Sequence, residues 1–186
     1  MSASQLLMAF RAACAPLIFV LACFDFWGPL LAGVLVAGFL SDVADGLIAG
    51  RTEPPVPGLR YADTLVDTVF YAGAGAALAV AVPAAFVGAG LVLVALVTIH
   101  VSRATFEVTK YGRVASYHMW SAQALGVLLT VAMAWTFATG RPNALLTLAL
   151  WLAIVNDVEG FAASAILPAW RADVPSIVHA LGCARR

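Results

Sequence analysis

The sequence predicts an all-α, polytopic membrane protein with six transmembrane helices. Three observations carry this prediction. The first is composition: of 186 residues, 63% are hydrophobic and 11% are charged, and the mean hydropathy is +0.96. A soluble domain has about 25% charged and 45–50% apolar residues. Too few polar side chains remain to cover a water-facing surface. An ordinary soluble enzyme, a disordered chain and a nucleic-acid binder with a basic face are thereby excluded. The second is length. A spanning helix needs about 20 apolar residues, so six take roughly 120 and leave little room for a soluble domain. Residues 1–186 therefore read as a single transmembrane domain. The third is the placement of basic residues, which follows from the helices themselves.

The first helix covers about 8–26, with Phe24, Phe26 and Trp27 forming an interfacial aromatic belt and Gly28-Pro29 the turn. Its Arg11 precedes a long apolar run with no small-residue cleavage site, unlike a cleaved signal. The second helix covers about 29–50, and the third runs from near Tyr61 to Val82, where Pro83 breaks it. The fourth, fifth and sixth cover about 84–109, 116–138 and 143–167, the last ending near Pro168. No segment alternates with the period of a β-barrel strand. Gly33, Gly38, Gly73, Gly75, Gly88 and Gly90 are read as close-packing positions between helices. Cys14, Cys23 and Cys183 lack metal spacing and are read as small hydrophobes.

With these spans, basic residues fall on alternate loops. Arg11 lies at the start of the first helix, and Arg51 and Arg60 between the second and third. Arg103, Lys110 and Arg113 lie between the fourth and fifth, and Arg171, Arg185 and Arg186 after the sixth. Arg141 alone falls on the other side. Positive charge gathers on the cytoplasmic face, so both termini are expected there.

The net charge is zero, so overall charge points to no partner. Local charge does. Asp42 and Asp45, spaced i, i+3, end the second helix, and Asp63 and Asp67, spaced i, i+4, begin the third. Each pair shares a helix face, and two helices joined by a short loop bring the faces together at the cytoplasmic edge. Four adjacent carboxylates must take up protons or cations, and the first pair also sits at a negative helix end. Hard divalent ions with oxygen ligands suit them. Two such ions about 3.5–4 Å apart suit phosphoryl-type displacement. The plainer alternative is that the aspartates pair with Arg51, Arg60 and Arg103 as interfacial anchors.

The run Asp42-x-x-Asp45-Gly46-x-x-Ala49, followed by Asp63-x-x-x-Asp67, resembles the signature of the CDP-alcohol phosphotransferase family of membrane phospholipid-synthesis enzymes. The family pattern is D-x-x-D-G-x-x-A-R, about eight residues, then G-x-x-x-D-x-x-x-D. All four aspartates keep its spacing, and the 42–67 segment bridges helices two and three as in the family. Arg11 and Pro16 in the first helix also resemble the family's opening. Two positions depart: the family arginine falls at Gly50, with Arg51 next, and the family glycine at Leu59, with Gly58 before it.

The resemblance implies transfer of a phosphatidyl-type group from a CDP-linked lipid to a small alcohol or phosphorylated alcohol, with release of CMP. It implies two Mg²⁺ or Mn²⁺ ions held by Asp42, Asp45, Asp63 and Asp67, with Asp67 also a general base. It implies room for the cytidine nucleotide over Gly46 and Ala49, a phosphate contact from Arg51, and a homodimer in lipid. Arg103 and Arg113 are the candidate cations for a phosphorylated acceptor, or else ordinary positive-inside anchors. His118 either meets the acceptor or is a satisfied interfacial histidine. Asn156, Asp157 and Glu159 on the sixth span require an interior, a cavity or a basic partner, with Arg11 or Arg103 as candidates for Glu159.

Two other readings compete. A cation transporter would need polar residues at mid-membrane depth in several spans, whereas the fourth and fifth helices carry almost no interior charge. A catalytically silent relative would bind metal without turnover, the shifted Arg51 and Gly58 being its motive.

Overall fold

The computed structural model describes residues 3–52 and 57–184, with backbone alone for 49–52, 57 and 59. The described chain is helical without strands. Its helices are α1 (Ala3–Cys23), α2 (Gly28–Thr52), α3 (Pro57–Ala81), α4 (Gly90–Tyr111), α5 (Trp120–Thr139), α6 (Ala144–Ile166) and α7 (Ile177–Ala184). A 3-10 turn, Pro83–Phe86, sits between α3 and α4. The first six helices are each long and apolar enough to cross a membrane. Pro83 ends the third span as expected, but α4 begins only at Gly90, because Gly88 takes φ +79° and interrupts the helical path. The α7 helix was not expected from sequence.

Two compact units form, Met1–Val87 with Thr130–Leu146, and Gly88–Leu129 with Thr147–Arg186. In the first, Cys14 is buried on α1 together with a face carrying Ser4, Met8, Arg11, Ala15, Ile18 and Ala22. The residues of that face recur at alternating steps of four and three, the period of a helix-packing seam. Both α2 and α3 pack against that seam, and they touch each other far less. The second and third helices are therefore bridged by α1 rather than paired face to face. Leu31, Leu35, Phe70, Ala74 and Leu78 complete the core. A Cβ at Gly38 would come within 2.5 Å of the Phe70 ring, and one at Gly73 within 3.1 Å of Ala15. Those two glycines act as close-packing positions, whereas Gly33, Gly75, Gly88 and Gly90 face open space. Such open positions, and exposed Leu91, Val94, Val97 and Trp151, fit a lipid solvent.

In the second unit, Ala115, Tyr117, Met119, Ala163, Leu167, Val174 and Ala180 form one cluster. Helix α4 closes on Gly112, whose φ of 75° only glycine adopts at no steric cost, and Gly112 N–H donates to Val108 O at 2.8 Å. Arg103 and Lys110 lie inside α4, not in the following loop. Cys14 is buried, Cys23 exposed and Cys183 half-buried, all three as free thiols.

Candidate active site

The polar groups of α1, α2 and α3 meet at one place in the first unit. Asp42 projects from α2, and Asp63 and Asp67 project from successive turns of α3. Each offers a carboxylate oxygen, and these oxygens lie within 4.8 Å of one another. The cation among them is Arg11 of α1, whose side chain is 0% exposed. Its Nη1 donates to Asp42 Oδ1 at 2.6 Å and to Asp67, and its Nη2 donates to Asp63 Oδ1 at 2.9 Å. Its Nε is buried without a hydrogen-bond partner.

Asp45 stands apart from this triad. It points toward the N-terminal turn of α1, where the buried Ser4 hydroxyl donates to its Oδ1. The i, i+3 spacing separates the two α2 carboxylates by about 300° of rotation and one 4.5 Å rise. That suffices for α1 to engage them at different depths, Asp42 at Arg11 and Asp45 at Ser4. One turn beyond Asp67, the Tyr71 hydroxyl shares a hydrogen bond of 3.0 Å with Thr130 Oγ1 of α5.

The donor set suits a divalent ion. All the ligand atoms are hard carboxylate oxygens, the preference of Mg²⁺, Mn²⁺ and Ca²⁺. Two oxygens on one Mg²⁺ lie up to about 4.2 Å apart, and on Ca²⁺ up to about 5 Å. The 4.8 Å limit is thus on the scale of one coordination sphere. Three carboxylates and one guanidinium also sum to two negative charges, which the low dielectric of a bundle interior penalises.

A family model described as CDP-alcohol phosphatidyltransferase matches residues 1–158. The chain belongs to that family. Neither curated proteins nor solved structures give a match. The membership makes this phosphatidyltransferase-family chain a transferase of phospholipid synthesis, acting with a CDP-alcohol donor and an alcohol acceptor in the membrane. The family is typically dependent on divalent metal, and the aspartate cluster is where one could bind.

A second polar network occupies the second unit of this transferase. Arg103 Nε donates to Glu107 Oε1 at 2.9 Å, and Nη1 to Asp157 Oδ1 at 3.0 Å. The guanidinium lies 5.9 Å from the Tyr117 ring centroid and against Gly160, where a Cβ would collide with it. Glu107 is buried, accepting from Ser164 Oγ at 2.6 Å and from the Ala115 amide at 2.8 Å. Since the Ser164 proton goes to Glu107, Tyr117 is the donor in its 2.8 Å bond with Ser164. Burial pushes the Tyr117 phenol above its ordinary pKa, with the Ser164 bond opposing, so the hydroxyl stays protonated. His100 Nδ1 lies 3.0 Å from Asp157 Oδ2.

These contacts place the remaining sequence candidates. Gly46 faces open space. The side chains of Ala49 and Arg51 lie outside the described residues. Arg113 stacks at 4.4 Å over Trp170, and Lys110 Nζ donates to Ser164 O at 2.7 Å. Within its own unit Glu159 is engaged by groups other than Arg103. It accepts from Ser121 Oγ at 2.6 Å and from the Ile177 amide at 3.2 Å, because Asp157 and Glu107 already meet Arg103. Asn156 donates to Ser121 at 2.9 Å. His118 sits 3.3 Å from Asp173.

Helix α4 is not free of interior charge, because Glu107 is 2% exposed. Its i, i+4 spacing from Arg103 on an apolar helix was the available signal. The role of Arg11 was also missed. A lone arginine within an apolar span demands an anionic partner, and that demand pointed to the aspartates.

Proposed function

We propose that the chain transfers a phosphatidyl-type group from a CDP-diacylglycerol-like lipid to a small alcohol, releasing CMP, with a divalent metal required. The observation that carries this is the convergence of Asp42, Asp63 and Asp67 within 4.8 Å in a chain of this family. Asp42, Asp63 and Asp67 would hold Mg²⁺ or Mn²⁺, with Asp45 completing a two-ion set from its neighbouring turn. When bound, the metal neutralises the donor diphosphate and stabilises the leaving group.

The side chain of Asp67 is 31% exposed against 10% for Asp63, which leaves Asp67 the more accessible to an entering alcohol. Its carboxylate takes the alcohol proton. The alcohol oxygen bonds to the lipid-side phosphorus, the bond from that phosphorus to the bridging oxygen breaks, and CMP departs with the electron pair. The open space over Gly46 allows the nucleotide to approach α2, with Ala49 and Arg51 on the same helix. Arg103, held by Glu107 and Asp157, and Arg113, over the Trp170 ring, are the candidate cations for a phosphorylated acceptor.

The family match runs through residues of both compact units, which supports one catalytic domain. The basic-residue asymmetry supports cytoplasmic termini and a site at the cytoplasmic edge of the inner-type membrane. Gly33 and Gly75, with nothing within 4 Å, leave room for a second copy's helix in a homodimer.

The test is CMP release by detergent-purified protein over a panel of polyol phosphates and amino alcohols. Release should require Mg²⁺ or Mn²⁺ and stop with chelator. Absence of CMP with every acceptor, while lipid donor and metal are bound, would remove the transfer reaction.

A further inference from the structure

Among the described residues Arg11 is the most deeply buried charge in the first unit, and it stands among the carboxylates proposed to hold the metal. Its two terminal nitrogens meet all three carboxylates of the triad, Asp42, Asp63 and Asp67. The same three residues each place a carboxylate oxygen within 4.8 Å of the others'. A guanidinium bonded to all three carboxylates fills the space among them and repels a divalent ion placed there. The Nε, buried and without an acceptor, shows that the fork is not fully satisfied in this position. A permanent structural arginine in an apolar span normally has all its donors met.

We propose that Arg11 is a resident counter-cation of the carboxylate triad and competes with divalent metal for it. This inference rests on the metal reading of the site given above. In the metal-free protein the guanidinium offsets part of the repulsion among three carboxylates and holds α1 to α2 and α3. Metal binding requires the guanidinium to withdraw from the oxygens. Arg11 is therefore a positioning residue that sets the apparent metal affinity. The intrinsic affinity is reduced by the fraction of molecules in which the triad is open. Linkage makes the effect reciprocal, and couplings of this kind typically amount to about 5–150-fold.

The experiment is Mn²⁺ binding, read by the electron paramagnetic resonance of free Mn²⁺, on full-length protein in detergent, together with thermal unfolding with and without Mn²⁺. The proteins are wild type, Arg11→Met, Arg11→Lys and Asp63→Asn. Arg11→Met should bind Mn²⁺ about tenfold or more tightly than wild type. Its melting temperature should fall without metal and recover with Mn²⁺. If Arg11→Met folds only with metal present, Arg11→Lys provides the affinity comparison, because a lysine lacks the fork that spans three carboxylates. It too should bind Mn²⁺ more tightly than wild type. Asp63→Asn should lose binding, which places the ion at the triad.

Equal or weaker Mn²⁺ binding in both folded Arg11 variants overturns the proposal and leaves the metal site standing. No Mn²⁺ binding by wild type or either Arg11 variant at millimolar concentration removes the metal reading, and this proposal with it. Retained binding in Asp63→Asn places the ion elsewhere and also overturns it.

Discussion

Asp63 and Asp67 are one helical turn apart on α3 and share Arg11, yet the Asp63 side chain is 10% exposed and that of Asp67 31%. Different consequences are expected from the same substitution. Asp67→Asn removes the proposed proton acceptor but keeps the shape, and should lower the turnover rate by about 10²–10⁴-fold. A CMP-release progress curve at saturating Mn²⁺ measures it, and full activity would exclude Asp67 as the base. Asp45 makes a different residue-scale case. Ser4→Ala leaves its buried carboxylate without that donor and should cost about 1–3 kcal/mol, read as a lowered melting temperature in detergent. Glu107 serves three donors, from Arg103, Ser164 and Ala115. Breaking such a buried pair costs about 3–5 kcal/mol, so Glu107→Ala should be far more damaging than Ser4→Ala.

At the scale of elements, the segment after α6 is tied to the loop between α4 and α5. The Asp173 amide donates to Ser116 O at 3.1 Å, and the Val174 amide to Tyr117 O at 2.8 Å. The Trp120 amide donates to Pro175 O at 3.1 Å, and the Trp170 indole to Val114 O at 3.0 Å. This segment lies beyond residue 158, where the family match ends. It nonetheless fixes the loop that carries Arg113. Trp170→Ala removes both the indole bond and the surface beneath Arg113. Amide hydrogen exchange across Val114–Met119 should then speed up by roughly tenfold or more, one bond and a stacked contact being worth about 1–2 kcal/mol. Unchanged exchange there would show that the segment does not order the loop.

These elements were legible to unequal degrees. The six spans could be read because an apolar run of about 20 residues is a local property. Helix α7 could not. It has eight residues, contains Gly182, and buries Ala180 in a cluster drawn from three other stretches of the chain. Short helices owe their stability to such packing rather than to propensity. The start of α4 was misplaced for a related reason. The residues after Pro83 are apolar throughout, so hydropathy alone does not mark the turn at Gly88.

At the scale of the whole molecule, composition and loop charge together predict an orientation that native cysteines test. Cys23 is exposed at the end of α1, next to the aromatic turn on the side opposite the predicted cytoplasmic termini. Cys183 lies in α7, near the C-terminus. In sealed cells, a membrane-impermeant maleimide should label Cys23 directly and Cys183 only after permeabilisation, Cys14 being buried. The reverse pattern would invert the topology.

Class, span number and aspartate register were all present in the linear sequence, because composition sets the solvent and helical period sets which residues share a face. The assignment of each charge to its partner was not. Arg11 lies 31 residues from Asp42 and 56 from Asp67, and Arg103 lies 54 from Asp157. In a low-dielectric interior each buried charge must find an opposite one, but several pairings satisfy that demand equally on paper. The packing of α1 against both α2 and α3 selects Arg11 for the triad and sends Asp45 to Ser4. The approach of Arg103 to Gly160, with no side chain between them, likewise brings it to Asp157 and leaves Glu159 for the start of α7.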